Sequence, residues 1–103
     1  MVGRRRRVIW TDQARVALDD VLTYIAEESL DGAQAVLEQA LAAAEALATL
    51  SDRGRVVPEL DDPSIREVFV YSYRLLYEVT ESEVRILAFL HGARDFGKWR
   101  SGE

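Results

Sequence analysis

The chain has no cysteine, a single histidine, one methionine and two prolines among its 103 residues. Without cysteine there can be no disulfide, no thiolate nucleophile and no thiolate metal site, which fits a reducing compartment and makes the cytoplasm the expected location. A lone histidine beside no thiol cannot build a usual zinc site, since His91 and Asp95 would supply two ligands only. Neither a metal nor a cofactor is expected. No apolar run approaches the roughly eighteen residues of a membrane span. The run Arg4, Arg5, Arg6 and Arg7 has the charge of a secretion signal, but the apolar Val8-Ile9-Trp10 that follows is too short, so export is not indicated. Phosphate-cradling glycine loops and the Gly-x-Ser-x-Gly elbow are also missing.

Charge is plentiful but unevenly placed. The net value is −5. Between residues 8 and 52 Arg15 is the one cation against nine carboxylates, whereas from 53 to 100 eight cations meet eight carboxylates. An anionic partner would therefore meet the second half of the chain or the arginine run. Residues 1–7 are expected to be a solvated tail. The overall acidity, with Lys98 as the only lysine, argues against sequence-specific DNA binding.

What is present reads as one domain over residues 1–103. Val8-Ile9-Trp10 is a short β-branched and aromatic run and predicts a first strand. Thr11 follows as an N-cap. Ala14, Leu18, Val21, Leu22 and Ile25 recur at helical spacing. A second start at Asp31, with Gln34 three residues on as in a capping box, precedes Ala33, Val36, Leu37, Ala40, Leu41, Ala44, Leu47 and Ala48. Two such helices with a short connection pack antiparallel. Gly54, in a position suited to positive φ, ends the helical region.

After Gly54 the apolar period drops to two. Strands are predicted over 65–70, 73–79 and 84–91, with residues 97–103 left as a C-terminal tail. The class is α+β: a short strand, an antiparallel helical hairpin and a three-stranded antiparallel meander, with the helices on one sheet face.

Antiparallel counting from the two turns assigns the faces. Val68, Val70, Tyr73, Leu75, Tyr77, Val79, Val84, Ile86, Ala88 and Leu90 form the core face. Glu67, Phe69, Arg74, Leu76, Glu78, Arg85, Leu87, Phe89 and His91 fall on the other. There Glu78 opposes Arg85, Leu76 opposes Leu87, and Arg74 lies between Phe69 and Phe89. A guanidinium between aromatic rings suits a docking surface, because it stacks and still donates hydrogen bonds. The competing reading is that the C-terminal segment, Phe96 and Trp99 included, folds back over this face.

The ordered set Gly54-Arg55, Pro58-Glu59, Ile65-Arg66-Glu67, Tyr73-Arg74, Tyr77 and Leu90-His91-Gly92-Ala93-Arg94-Asp95 resembles the RelE/ParE superfamily of bacterial toxins, closer to its ParE-like branch. The resemblance implies a small sheet with two N-terminal helices, and a cytoplasmic toxin held inactive by a cognate antitoxin in a hetero-oligomer. ParE-like members inhibit growth by protein contact with DNA gyrase and serve plasmid stabilisation; RelE-like members cleave mRNA on the ribosome. The first reading makes Phe69, Arg74, Leu76, Arg85, Leu87, Phe89, His91 and Arg94 the antitoxin or target surface, with no catalytic residue. The second needs Glu59 as base, Arg74 on phosphate and His91 as acid. A non-toxic relic that only regulates its operon is a third reading. Arg66, on the core-side face near Tyr77, is expected to snorkel or pair. His91 beside Asp95 is read as closing the end of a strand.

Overall fold

The structure is a computed structural model; it describes residues 5–101, apart from the side chains of residues 93 and 94. Strand β1 (Arg7–Trp10) leads into α1 (Asp12–Ala26) and α2 (Leu30–Ala46). Then come β2 (Arg55–Val56), β3 (Ile65–Val70), β4 (Tyr73–Val79), β5 (Glu83–Leu90) and α3 (Gly92–Ser101). The five strands form one sheet in the order β1-β5-β4-β3-β2, with β1 parallel to β5 and the rest antiparallel.

Thr11 caps α1 as expected, its hydroxyl oxygen accepting from the Ala14 N–H. The second cap is Ser29 rather than Asp31. Its hydroxyl takes the Gly32 N–H at 2.8 Å, which starts α2 two residues earlier. Ala14 and Leu18 of α1 meet Val36, Ala40, Ala44 and Leu47 over Leu75, Tyr77, Val84 and Ile86, and this is the larger core. Leu41, expected on the buried side, is exposed.

Residues 5–7 are not a free tail. The Arg6 backbone N–H donates to the Ala48 carbonyl at the end of α2. Its guanidinium reaches the Thr80 carbonyl and the Ser51 hydroxyl. Residues 1–4 lie outside the described region.

The β3–β4 register is the one counted from the sequence, with Val70 opposite Tyr73 and Arg66 opposite Tyr77. The β4–β5 register agrees from Val79/Val84 through Glu78/Arg85 to Tyr77/Ile86, and then slips. Leu76 opposes Ala88, so Leu87 is an extra residue, a β-bulge. Because side chains alternate with a period of two, one inserted residue sends everything after it to the opposite face. Phe89 turns under the helical hairpin and stacks on Tyr73 at 5.1 Å, while Ala88 and Leu90 turn away from it.

Those two residues join Leu76, Val57 and Phe96 in a second cluster, flanked by Leu60, Ile65 and Trp99. The segment expected to be a tail is thus largely helix. Phe96 and Trp99, three apart on α3, present one apolar edge to the far side of the sheet. The helical hairpin occupies one face as expected, and α3 with the 57–60 segment covers part of the other.

Gly54 does not adopt positive φ. Its requirement is space, since a Cβ there would stand 2.4 Å from the Glu67 carbonyl oxygen. Gly92, at the junction of β5 and α3, does take φ 81, a region open to glycine at little cost. Among the described residues no helix is long and apolar enough to cross a membrane.

Candidate functional site

Arg74 points from β4 away from the helical hairpin and is 7% exposed. A buried guanidinium must find acceptors. Its Nε donates to Glu67 Oε1 at 2.5 Å, and Nη1 and Nη2 grip both carboxylate oxygens of Glu59 at 2.9 and 2.7 Å. The Phe96 ring lies 5.1 Å from its guanidinium carbon. Glu67 sits two positions along β3 from Phe69, the residue opposite Arg74, and so on the same face, and its side chain is wholly buried. Its second oxygen accepts from Arg55 Nε at 2.7 Å. Two carboxylates and two guanidiniums therefore form one chain, Glu59-Arg74-Glu67-Arg55, from the covered side of the sheet to its exposed edge.

The electrostatics follow from that chain. The hydrogen bonds from Arg74 hold the Glu59 carboxyl below its usual value. Reciprocally, Glu59 and then Glu67 keep Arg74 firmly charged against the effect of burial. On the hairpin side, burial raises the Tyr77 phenol, whose oxygen accepts the Gly54 N–H at 2.9 Å. Arg66 pairs with carbonyl oxygens at the strand end, chiefly that of Gly54 at 2.7 Å. Near the second proline, the Ser64 hydroxyl and N–H lower Asp62.

The outward surface expected from the sequence is not assembled as drawn. Arg74 and Leu76 are buried beneath α3 and the 57–60 segment, and Phe89 lies beneath the hairpin. Leu87 is half-buried at the bulge. Phe69 and Arg85 remain exposed, Phe69 under the guanidinium of Arg55 and Arg85 facing Glu78 at 3.6 Å. The Arg94 side chain lies outside the described residues.

The alternative set of Glu59, Arg74 and His91 is split. Glu59 and Arg74 are locked together, while the His91 ring rests against Tyr73 at 5.1 Å, on the side to which the bulge has turned Phe89. At His91 it is the backbone N–H that meets the Asp95 carboxylate, at 3.2 Å. Among the described residues no three His, Cys, Asp or Glu side chains converge as a metal site would require.

Sequence reading put Glu67 and Arg74 on one face, and they do pair. It missed Arg55, because a two-residue strand is too short to show a period. The competing reading, that Phe96 and Trp99 fold back over this face, is the one the structure bears out, with Phe96 over Arg74 itself.

Two solved structures of toxin–antitoxin systems are similar to this chain in fold. A chain of the chromosomal ParDE system from P. aeruginosa superimposes with a TM-score of 0.68 at 18% identity, over 84% of this chain and 96% of that one. A chain of the RelBE2 toxin–antitoxin complex from Mycobacterium tuberculosis gives 0.56 at 22% identity, over 87% and 94%. No curated protein matches by sequence. The family model for the ParE toxin of type II toxin–antitoxin systems, parDE, matches residues 8–96. The chain belongs to this ParE toxin family.

Proposed function

We propose that this toxin stops growth by binding DNA gyrase as a protein ligand, with no chemical step of its own, and that a cognate antitoxin neutralises it in the cytoplasm. One observation carries the reading. The groups that RNA cleavage would recruit are already committed or apart: Glu59 is held as a carboxylate by Arg74, three N–H groups of Arg74 are spent on Glu59 and Glu67, and His91 belongs to the other face. A base whose proton affinity is lowered by a permanent cation is a weak base. The antitoxin enters the proposal from the two similar assemblies, which are toxin–antitoxin systems.

The test is a pair of assays on the purified chain. Gyrase supercoiling should be inhibited, with cleaved DNA trapped on the enzyme. Cleavage of mRNA on translating ribosomes, abolished by Glu59→Ala or His91→Ala in a folded protein, would overturn the proposal.

A further inference from the structure

Arg5, Arg15, Arg55, Arg74 and Arg85 each meet a carboxylate. Arg6 and Arg66 meet none among the described residues and are held by neutral oxygens instead. Arg6 donates from Nε to the Thr80 carbonyl at 2.8 Å and from Nη1 to the Ser51 hydroxyl at 3.0 Å. Arg66 donates from Nη1 to the Gly54 carbonyl at 2.7 Å, with the Asp52 carbonyl at 3.5 Å. In both, Nη2 has no partner among the described residues. A guanidinium fixed by uncharged acceptors is oriented while its own charge stays unneutralised.

Both arginines line one hollow of about 430 Å³ beyond the end of α2, together with Thr49, Ser51 and Asp52, and with Pro63 and Val79 as its apolar wall. The hollow is separate from the Glu59-Arg74-Glu67 chain. Arg66 stands opposite Tyr77, which faces the larger core, whereas Arg74 lies against the smaller cluster on the other side of the sheet. Arg6 and Arg66 are half-buried, so salt screens their charges less than those of a surface arginine. Ser51 is buried, while Thr49 and Asp52 are exposed. Asp52 is the one acid in the lining, against the two arginines. Its carboxylate makes no hydrogen bond or ion pair among the described residues. On a chain of net charge −5, a locally positive hollow is a property of this place and not of the whole surface.

We propose that this hollow binds a small phosphate monoester whose carbon skeleton carries hydroxyl groups, the chemistry of a sugar phosphate or a nucleoside monophosphate. The phosphate oxygens take the unused N–H groups of Arg6 and Arg66, since a pair of planar guanidiniums matches phosphate geometry. The Thr49 hydroxyl adds a neutral donor. Asp52 accepts from a hydroxyl of the skeleton, which distinguishes a sugar phosphate from bare phosphate. The same carboxylate opposes a nucleic-acid strand, which would bring several phosphates to a place with only two cations. Pro63 and Val79 give the apolar side of the skeleton a surface to lie on, and the volume falls within the range of small-molecule sites. The assignment is independent of how the toxin stops growth.

Titration calorimetry of the full chain at low ionic strength tests this, with ribose 5-phosphate, inorganic phosphate, sulfate and ribose as separate probes. Ribose 5-phosphate should bind saturably with a Kd of about 1 mM or tighter, at least about fivefold more tightly than phosphate or sulfate. Ribose alone should not bind. Arg6→Gln and Arg66→Gln should each weaken ribose 5-phosphate at least about tenfold, with Arg15→Gln as an unchanged control. Asp52→Ala should tighten inorganic phosphate while erasing the advantage of the sugar phosphate, a reversal that damage to the fold would not produce. Asp52 is exposed, so this variant keeps the fold even if loss of Arg6 or Arg66 loosens it. Absence of saturable binding to wild type overturns the inference, as does binding that Arg66→Gln and Asp52→Ala both leave unchanged. Sulfate binding as tightly as ribose 5-phosphate would reduce the hollow to an unselective anion site and overturn it. So would a single-stranded DNA oligomer that binds more tightly than ribose 5-phosphate and loses that advantage in Arg66→Gln.

Discussion

The guanidinium of Arg74 closes on the carboxylate of Glu59 with two parallel hydrogen bonds, Nη1 to Oε2 at 2.9 Å and Nη2 to Oε1 at 2.7 Å. The pair ties the segment after Pro58 to the middle of the sheet, and Glu67 behind it depends on the same cation. Replacing Arg74 by Met should cost about 3–5 kcal/mol, because a buried carboxylate loses a partner in surroundings that cannot solvate it. Arg74→Lys should recover less than half, since one ammonium cannot serve both carboxylates in this geometry. Urea unfolding of the three proteins measures both values, and a loss under about 1 kcal/mol for Arg74→Met would contradict the account.

Stability should fall in acid partly through Glu59. Its folded-state proton affinity is depressed from the ordinary 4.5 by Arg74. The unfolded chain thus binds the proton first as pH drops. The contribution is complete above the unfolded value and is lost as pH falls through the folded one. Glu59→Gln should flatten the decline of the urea midpoint below about pH 5, leaving the part due to Asp62, which is lowered in the same sense. Tyr77 acts at the other extreme. Its raised phenol stabilises fully below the ordinary value of 10.0, and that contribution disappears as pH climbs through the folded value.

Two glycines should respond in opposite directions. Gly54→Ala places a methyl 2.4 Å from the Glu67 carbonyl oxygen and 2.6 Å from the Tyr77 hydroxyl, and is expected to cost about 2 kcal/mol or more as strands part. Gly97 lies inside α3 with nothing within 4 Å of the added carbon. Gly97→Ala should therefore stabilise by up to about 1 kcal/mol through helix propensity. Thermal unfolding distinguishes the two directly.

Removing Phe96 should release α3 selectively. The ring is buried and covers both Arg74 and the apolar patch of Leu76, Ala88 and Leu90. In Phe96→Ala, amides of residues 92–101 should lose most of their hydrogen-exchange protection while those of α1 and α2 keep theirs, since the two clusters lie on opposite sheet faces. Uniform loss across the chain would mean that the clusters unfold as one unit.

His91→Ala bears on function. If the toxin works by protein contact, growth inhibition in cells lacking the antitoxin should change by no more than about twofold; loss of a general acid would reduce activity by about a hundredfold or more. The plating assay is read beside circular dichroism, so that misfolding is not mistaken for lost chemistry.

The elements of the fold were legible because local patterns specify them. Thr11 announces α1, the spacing of Ala14, Leu18, Val21 and Ile25 places its buried face, and the turns at Tyr71-Ser72 and after Val79 fix the pairs nearest to them, Val70 with Tyr73 and Val79 with Val84. The cap at Ser29 was misplaced because Asp31 offers the same capping chemistry two residues later, and only the backbone path chooses between them.

Long-range packing decided the candidate site. A turn fixes register beside itself, but the extra residue at Leu87 appears only when Phe89 can settle under the hairpin and Leu90 can settle under α3. Alternation in the sequence is indifferent to such a slip. Likewise Gly92–Ser101 is a charged stretch whose helix shows its purpose only when Phe96 and Trp99 meet the second sheet face. Sequence by itself therefore determined β1, β3, β4 and β5, the helical hairpin and the placing of Glu67 and Arg74 on one face. Tertiary structure alone decided that Arg74 is covered while Arg55 is left at the surface, because burial depends on which distant residues arrive above a side chain and not on its neighbours along the strand.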